Sequence, residues 1–334
     1  MPRRFLALTT LLVTATLLGS CGDSSDGGSS DRGNGDDARL RVVTAFYPLE
    51  YAAQQVVYGI DGVTVETLTG PGVDAHDLEL TPRQVGSISE ADVVIFSAGM
   101  QPAVDEAVSA QAADHSFDTT TVADLVERTP GGHEDHDHEA NGDEEEHDDH
   151  GDEAHEGHDH GPLDPHFWLD PQRYAAVGEA IAEELATVDQ DNADAYRSNA
   201  EAFSADLREL DQEFATALAS CEQDTLVTTH AAFGYLADRY GFHQVGITGI
   251  TPEAEASPAR MAEIVREVEE LNVSAVYAES SLGGDLAEVI AAETGAQILV
   301  LDPIEGITGD SPGQDYGAVM RANLDSLRQG QECS

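Results

Sequence analysis

A long, uninterrupted helical pattern near the middle of the chain most restricts how this sequence can fold. Apolar side chains recur at spacings of three and four residues across 192–219, and no glycine or proline interrupts them. This periodicity predicts one amphipathic helix of about 28 residues, about 42 Å long. The apolar positions are Tyr196, Ala200, Phe203, Leu207, Leu210, Phe214 and Leu218. A helix of that length between two folded units is a candidate rigid strut.

Short strand-like and helix-like patterns alternate on both sides of this helix. Strand patterns occupy 41–46, 63–67 and 93–97 before it, and 225–229, 243–247, 274–278 and 297–301 after it. Such alternation predicts α/β units with parallel sheets. The predicted fold is therefore α/β, with an N-terminal lobe over 41–190, a linking helix over 191–220 and a C-terminal lobe over 221–334.

The first forty residues have the pattern of an export signal followed by a tether. Two arginines precede an apolar run that ends in Leu-Gly-Ser-Cys, which resembles the cleavage site of a bacterial lipoprotein. The pattern predicts a signal over 1–20 with Cys21 lipidated; the alternative is an ordinary signal with a chance cysteine. Residues 21–40 are rich in Gly, Ser and Asp and are predicted to be a flexible tether. We therefore expect an extracytoplasmic protein held to the membrane by a lipid.

A tract of histidine, acid and glycine over 133–160 interrupts the first lobe. This composition cannot form a core, so we expect a disordered insertion. Its histidines are His133, His136, His138, His147, His150, His155, His158 and His160. We hypothesise that they capture metal ions weakly and pass them on, or sense their excess. The alternative is a solvated acidic spacer.

The charge of the chain excludes one class of partner. The formal net charge is −50, with 65 acidic residues against 15 basic ones. The tract 133–160 holds fourteen of those acids, so the acidity extends over the whole chain. Nucleic acids require a basic surface, and we exclude them as partners.

Two cysteines remain once Cys21 is assigned to the anchor. Cys221 and Cys333 lie in a protein expected to be exported, where disulfides form and persist. We predict a disulfide between them, which would attach the C-terminal helix to the start of the second lobe. Two free thiols are the alternative.

Three histidines outside the tract follow predicted strands or turns. His76 follows a Gly-Pro-Gly turn, His166 follows Asp164-Pro165, and His230 ends the strand pattern over 225–229. Pro165 and Pro171, near the two ends of 164–171, predict an extended segment that ends in a turn. Because ligands gather beyond the carboxyl ends of parallel strands, the three imidazoles are expected to meet in one crevice around a transition metal.

Two of these histidines have an aspartate two residues earlier. Asp74 precedes His76 and Asp164 precedes His166. A metal-bound imidazole usually donates its other N–H to a carboxylate or a carbonyl. These aspartates are therefore expected either to orient the rings or to cap turns.

Three segments resemble the signature segments of the zinc/manganese-type solute-binding lipoproteins of ABC importers (cluster A-I, bacterial solute-binding protein family 9). They are Gly70-Pro-Gly-Val-Asp-Ala-His-Asp-Leu-Glu-Leu-Thr-Pro82, Asp164-Pro-His-Phe-Trp-Leu-Asp-Pro171 and Thr229-His-Ala-Ala-Phe-Gly-Tyr235. The resemblance covers nearly the whole mature chain and implies two lobes joined by a rigid helix, with metal bound in the cleft between them. It implies that His76, His166 and His230 are ligands, and that the partner is a membrane permease that receives the ion from a monomeric carrier. Imidazole at the third position favours zinc over manganese.

The resemblance also implies a fourth ligand near the C-terminal helix. Asp315 is the residue nearest to the expected position, although its spacing is one residue off. Asp302 and Glu279, at other strand ends, are weaker candidates, and a water is a further one.

Two other functions are considered. A zinc hydrolase would need a general base, and the chain has no His-Glu-x-x-His motif that could supply one. A serine hydrolase would need a nucleophile elbow, and the Gly-x-Ser-x-Gly match at 309–313 has a proline directly after the serine, which disfavours that turn. We therefore predict that the chain is not an enzyme. Surface lipoproteins of this type can also be adhesins, and adhesion does not exclude metal capture.

Overall fold

The computed structural model describes residues 39–128, 163–252, 256–279 and 285–334. The predicted signal, Cys21 and nearly all of the tether lie outside these residues, as does the tract 133–160 with its eight histidines. Within the described ranges, no helix combines the length and the apolar character needed to cross a membrane.

The first lobe is built on one parallel sheet. Its elements are β1 (Leu40–Thr44), α1 (Tyr47–Val56), β2 (Val63–Thr67), α2 (Pro82–Glu90), β3 (Val93–Phe96), α3 (Pro102–Gln111), β4 (Ser116–Asp118), α4 (Thr120–Ala123), a 3-10 turn (Phe167–Leu169) and α5 (Pro171–Val188). The strand order is β2-β1-β3-β4, and all three ladders are parallel. The carboxyl ends of the strands therefore lie along one edge of the sheet.

The second lobe repeats this arrangement. Its elements are β5 (Thr225–Thr228), α7 (Gly234–Tyr240), β6 (His243–Gly246), α8 (Pro258–Leu271), β7 (Ala275–Ala278), α9 (Asp285–Thr294), β8 (Gln297–Val300) and α10 (Tyr316–Gly330). The strand order is β6-β5-β7-β8, again with parallel ladders only. Both sheets thus have the same topology, and β5 and β7 are buried on both faces.

The predicted linking helix is α6 (Ala193–Ala217), 25 residues long. Its apolar stripe is buried along the helix α5, and α6 also contacts α1 and α10. One cluster of buried residues extends from the first lobe through this contact into the second, and a smaller cluster covers the other face of the second sheet. The prediction of an α/β fold with two lobes joined by one long helix is confirmed.

Local signals explain where several helices begin. Thr81 accepts a hydrogen bond from the backbone N–H of Gln84, and the Gln84 side chain accepts in return from the backbone N–H of Thr81, so the Thr-Pro pair starts α2. Asp170 caps α5 with a single bond, in which its side chain accepts from the backbone N–H of Gln172 at 2.9 Å. The prediction of an extended segment over 164–171 is wrong in its middle, because Phe167–Leu169 form a 3-10 turn that buries all three side chains.

A disulfide joins Cys221 and Cys333, which is the pairing predicted from the sequence. It connects the segment before β5 to the residues after α10. Backbone hydrogen bonds from Glu222 and Gln223 to the carbonyl of Gln331 reinforce the same junction. The C-terminal helix is therefore attached to the start of the second lobe.

Candidate metal centre

Four side chains from the two lobes point one donor atom each at a common point. His76 follows β2 and His166 precedes the 3-10 turn in the first lobe, while His230 follows β5 and Glu305 follows β8 in the second. Their donor atoms all lie within 4.8 Å of one another. The structure brings His76, His166 and His230 together, as their positions after predicted strands and turns led us to expect.

Four of the six donor-to-donor separations within this group match the edges of a tetrahedron. Glu305 Oε1 is 3.3 Å from His166 Nε2 and 3.4 Å from the Nε2 atoms of His76 and His230. The Nε2 atoms of His166 and His230 are also 3.4 Å apart. Bonds of about 2.0–2.1 Å to a tetrahedral zinc ion place neighbouring donors about 3.3–3.4 Å apart. These four separations have the dimensions of a four-coordinate site, and all donor pairs lie within 4.8 Å.

The site is almost closed to solvent. His166 and His230 are 0% exposed, His76 is 9% exposed, and the side chain of Glu305 is 14% exposed. The Nε2 atom of His76 is buried and makes no well-aligned hydrogen bond among the described residues, since its 3.4 Å contact with Glu305 Oε1 lacks that geometry. A buried polar atom without a partner is costly, and a cation between the four donors would remove that cost.

Asp164 fixes the ring of His166. One oxygen of Asp164 accepts from the backbone N–H of His166 at 3.0 Å and lies 2.8 Å from its ring Nδ1. The other oxygen accepts from Arg128 Nε at 2.9 Å. With Nδ1–H directed at the carboxylate, the Nε2 lone pair of His166 is left free to bind a metal.

Glu279 plays the same part for His230. Its Oε1 lies 2.6 Å from His230 Nδ1 and accepts from the backbone N–H of His230 at 3.2 Å. The hydroxyl of Thr229 donates to that same oxygen. Glu279, a weaker candidate for the fourth ligand, therefore lies behind His230 on the side away from the other donors.

The two Asp-x-His pairs behave differently. Asp74 accepts a 2.7 Å hydrogen bond from the backbone N–H of His76 and so caps a turn. Asp164 bonds both to the backbone and to the ring of its histidine. Both of the roles expected for these aspartates are therefore present, one in each pair.

The fourth donor differs from the one expected. Asp315 lies at the N-cap of α10, where it is exposed and accepts from the backbone N–H of Ala318 at 2.8 Å, and it is outside the four-residue group. Asp302 is turned inward and accepts from the backbone N–H of Ile304. Glu305 occupies the position instead. Its place shortly after the last strand is a weak signal, because Asp302 shares that place.

The charges of the group depend on one another. Burial alone would lower the pKa of both His166 and His230. Hydrogen bonds to Asp164 and Glu305 instead raise the pKa of His166. The charge and hydrogen bond of Glu279, together with those of Glu305, raise the pKa of His230 to about 10. Burial alone would raise the pKa of Glu305, yet the three histidines hold it well below its usual range. The cleft therefore holds positive charge next to a carboxylate, whether as ring protons or as a metal ion.

The sequence profile of one family matches nearly the whole described chain. It is described as ZnuA, zinc-uptake complex component A, periplasmic, and it matches residues 42–330. The high-affinity zinc uptake system protein ZnuA of Bacillus subtilis is 33% identical over 331 residues, covering 98% of this chain and 97% of the relative.

Streptococcal relatives agree with this match. The zinc-binding protein AdcA of Streptococcus pyogenes is 33% identical over 87% of this chain, which spans only 56% of the length of AdcA. The crystal structure of Zn(II)-bound AdcA from Streptococcus pneumoniae has a TM-score of 0.69 at 30% identity, covering 88% of this chain and 58% of that one. The laminin-binding protein Lmb of Streptococcus agalactiae, described as bifunctional with adhesin and metal-transporting activity, has a TM-score of 0.70 at 27% identity over 87% of this chain and 99% of Lmb.

Proposed function

The chain belongs to the ZnuA family of periplasmic zinc-uptake components, and on that premise we propose that it captures a zinc ion between its lobes and delivers it to the membrane permease of an ABC importer. The observation that supports this most directly is the spacing of the four donor atoms. Four contacts of 3.3–3.4 Å join three imidazole nitrogens and one carboxylate oxygen around one point. His76, His166, His230 and Glu305 are the proposed ligands.

The donor set favours zinc over manganese. Imidazole nitrogen suits zinc, whereas manganese is bound better by sets rich in carboxylate and water. Only one of the four proposed ligands is a carboxylate. Tetrahedral spacing also suits zinc, while manganese commonly takes six oxygen-rich ligands in an octahedron.

Four protein ligands argue against hydrolysis. Catalytic zinc sites usually keep one position open for the water that they activate, and structural sites are closed by four protein ligands. Here Glu305 fills the position in which a catalytic water would stand. Ser311 of the Gly-x-Ser-x-Gly match accepts from the backbone N–H of Thr308 in a turn far past β8, so it lacks the strand that a nucleophile elbow requires. A binding role without enzyme activity follows.

The predicted N-terminal segments of the chain fit a lipid-anchored zinc carrier outside the cytoplasm. The signal 1–20, Cys21 and the tether 21–40 would place a monomer of the mature chain at the outer face of the membrane, where it can meet its permease. The tract 133–160 would bind further zinc ions weakly. The shared core of α5, α6 and α10 leaves little freedom for the lobes to swing, so loading and release would involve local movement of the ligand loops.

Replacing one ligand tests the proposal. Apparent zinc binding in four-ligand sites amounts to about 10–16 kcal/mol, so His166→Ala should weaken zinc binding by about 10²–10³-fold. Competition with a chromogenic chelator measures the affinity, and mass spectrometry of protein purified without chelator identifies the metal. The exposed His243 supplies the control, since His243→Ala should bind as the unchanged chain does. Tight binding by His166→Ala would remove the basis of the proposal.

Adhesion is a second candidate because of the likeness to Lmb. Retention of the mature chain on immobilised laminin, undiminished in His166→Ala, would support an adhesive role that is independent of the metal. Absence of retention at micromolar concentration would contradict it.

A further inference from the structure

The indole of Trp168 connects two ligand loops that belong to different lobes. Trp168 follows His166 by two residues, and its Nε1–H donates a buried 2.7 Å hydrogen bond to the carbonyl of Pro303. Pro303 precedes Glu305 by two residues. A single hydrogen bond thus links the loop of one proposed ligand to the loop of another, across 135 positions of sequence.

The loop that presents Glu305 is strained. Ile304, directly before Glu305, has a φ of 60°, a left-handed conformation that is unfavourable for a β-branched side chain. Ile304 is also completely buried. Such a backbone persists only where its surroundings impose it, and it is most often found at functional sites and ligand clamps.

Three groups impose this conformation. Asp302 accepts from the backbone N–H of Ile304 at 2.8 Å. The amide of Asn323 on α10 bonds to both the N–H and the carbonyl of Asp302, at 2.9 and 2.7 Å. These contacts come from the second lobe alone. Trp168 supplies the contact from the first lobe, and it bonds to the residue next to the strained one.

Trp168 is itself held firmly. It is 0% exposed, and its ring lies 5.2 Å from that of Phe46 and 5.5 Å from that of Phe167, measured between centroids. Its carbonyl accepts a 2.6 Å hydrogen bond from the hydroxyl of Tyr316. The indole N–H is therefore a fixed donor, which can determine where the Pro303 carbonyl lies.

We propose that Trp168 is a positioning residue for the fourth ligand, an inference that rests on the proposed function. By holding the Pro303 carbonyl, the indole keeps the turn at Ile304 in the conformation that places Glu305 Oε1 3.3–3.4 Å from all three imidazole nitrogens. The carboxylate is thereby set before the ion arrives. Preorganisation of this kind increases affinity because the loop need not be ordered on binding.

The test removes the N–H and leaves the ring. Trp168 is the only tryptophan of the chain, so global replacement of tryptophan by benzothienylalanine changes one N–H into a sulfur and little else. Trp168→Phe is the second variant. Each should weaken zinc binding by about fivefold to tenfold, the usual effect of one buried hydrogen bond. Chelator competition reports this affinity without using protein fluorescence.

A double-mutant cycle separates positioning from general stability. Because Trp168 is proposed to act through Glu305, adding Trp168→Phe to Glu305→Gln should cause no further loss beyond about twofold. Independent effects that multiply in the double variant would overturn the proposal. Unchanged zinc affinity in both single Trp168 variants would do so as well, even if their melting temperatures fall.

Controls distinguish this proposal from the one on which it depends. Tyr174→Phe removes another buried hydrogen bond, from the Tyr174 hydroxyl to the Pro48 carbonyl at 2.6 Å, and should leave zinc affinity unchanged. Loss of binding in His166→Ala together with normal binding in the Trp168 variants would overturn the positioning role only. Normal binding in His166→Ala would overturn the proposed function itself.

Discussion

The carboxylate behind His230 should control how zinc binding depends on pH. Glu279 Oε1 lies 2.6 Å from His230 Nδ1 and, despite burial, its charge helps to raise the pKa of His230 to about 10. The metal-free ring therefore carries a proton throughout pH 6–9, and zinc must displace that proton. Each unit by which the pH falls should weaken zinc binding about tenfold through this one residue.

Glu279→Gln keeps the shape of the side chain and removes its charge. The pKa of His230 should then fall toward its usual value of about 6.5, although Glu305 still holds it partly up. Loss of a carboxylate that orients a metal-bound histidine typically costs about 10–100-fold in affinity. This deficit should be largest near pH 9. It should shrink toward pH 6, because the variant no longer has to displace so firmly held a proton.

Zinc affinities of both proteins, measured by chelator competition at each pH from 6 to 9, test the reasoning. The metal-free proteins give an independent check through their melting temperatures. A histidine with a raised pKa stabilises the fold fully below about pH 6.5 and loses that contribution as the pH rises toward 10. Wild-type stability should therefore decline over that interval more than that of Glu279→Gln. Glu213→Gln, which breaks an exposed ion pair with Arg321, is the control and should follow the wild type. A constant affinity ratio between wild type and Glu279→Gln at every pH would refute the reasoning.

Three further predictions follow from the same structure. At pH 7.5, zinc binding should release at least one proton per ion, since the pKa values of His166 and His230 are raised. Calorimetry in buffers of different ionisation heat measures the number of protons released, and identical binding heats in all buffers would contradict the prediction. Replacing Cys221 and Cys333 by serine opens a loop of 112 residues and should cost about 4–5 kcal/mol in urea unfolding on the chain-entropy estimate. Zinc affinity should stay within about twofold in that variant, because Cys221 precedes β5 whereas His230 follows it at the opposite edge of the sheet. Deleting 133–160 should leave one tight site and remove several weak ones in a zinc titration, and an unchanged stoichiometry would exclude the weak sites. The fold should tolerate the deletion because Glu127 and Leu163, on the two sides of this tract, form a β-bridge with each other.

Periodicity predicted much of the fold, and the positions of three histidines predicted that they would meet in one cluster. The apolar stripe of α6 identified the linking helix to within two residues at each end, because a long amphipathic pattern without Gly or Pro fits only one continuous helix. His76, His166 and His230 were expected to meet because each follows a predicted strand or turn, and the family resemblance pointed to the same three residues. The short elements α3, β4 and α4 were missed, since 3–10 residues with little periodicity give a weak signal.

The fourth donor could not be found from spacing alone. Glu305 points into the site because Ile304 adopts a left-handed backbone, a conformation that no local sequence rule assigns to isoleucine. Contacts from Asn323 and Trp168, distant in sequence, impose that turn. Asp315 was a reasonable alternative by position, but an aspartate directly before a helix is used more readily as an N-cap. Tertiary context decided between the two acids.

The core that both lobes share through α6 also bears on how a loaded molecule is recognised. Because the lobes share this core, loading would leave the outline of the molecule almost unchanged. A receptor that recognises only the overall shape would bind empty and loaded molecules with equal affinity. The difference that remains lies in the cleft, where an ion takes the place of ring protons among four clustered side chains. A receptor would then have to contact the loops that carry these side chains in order to prefer the loaded molecule.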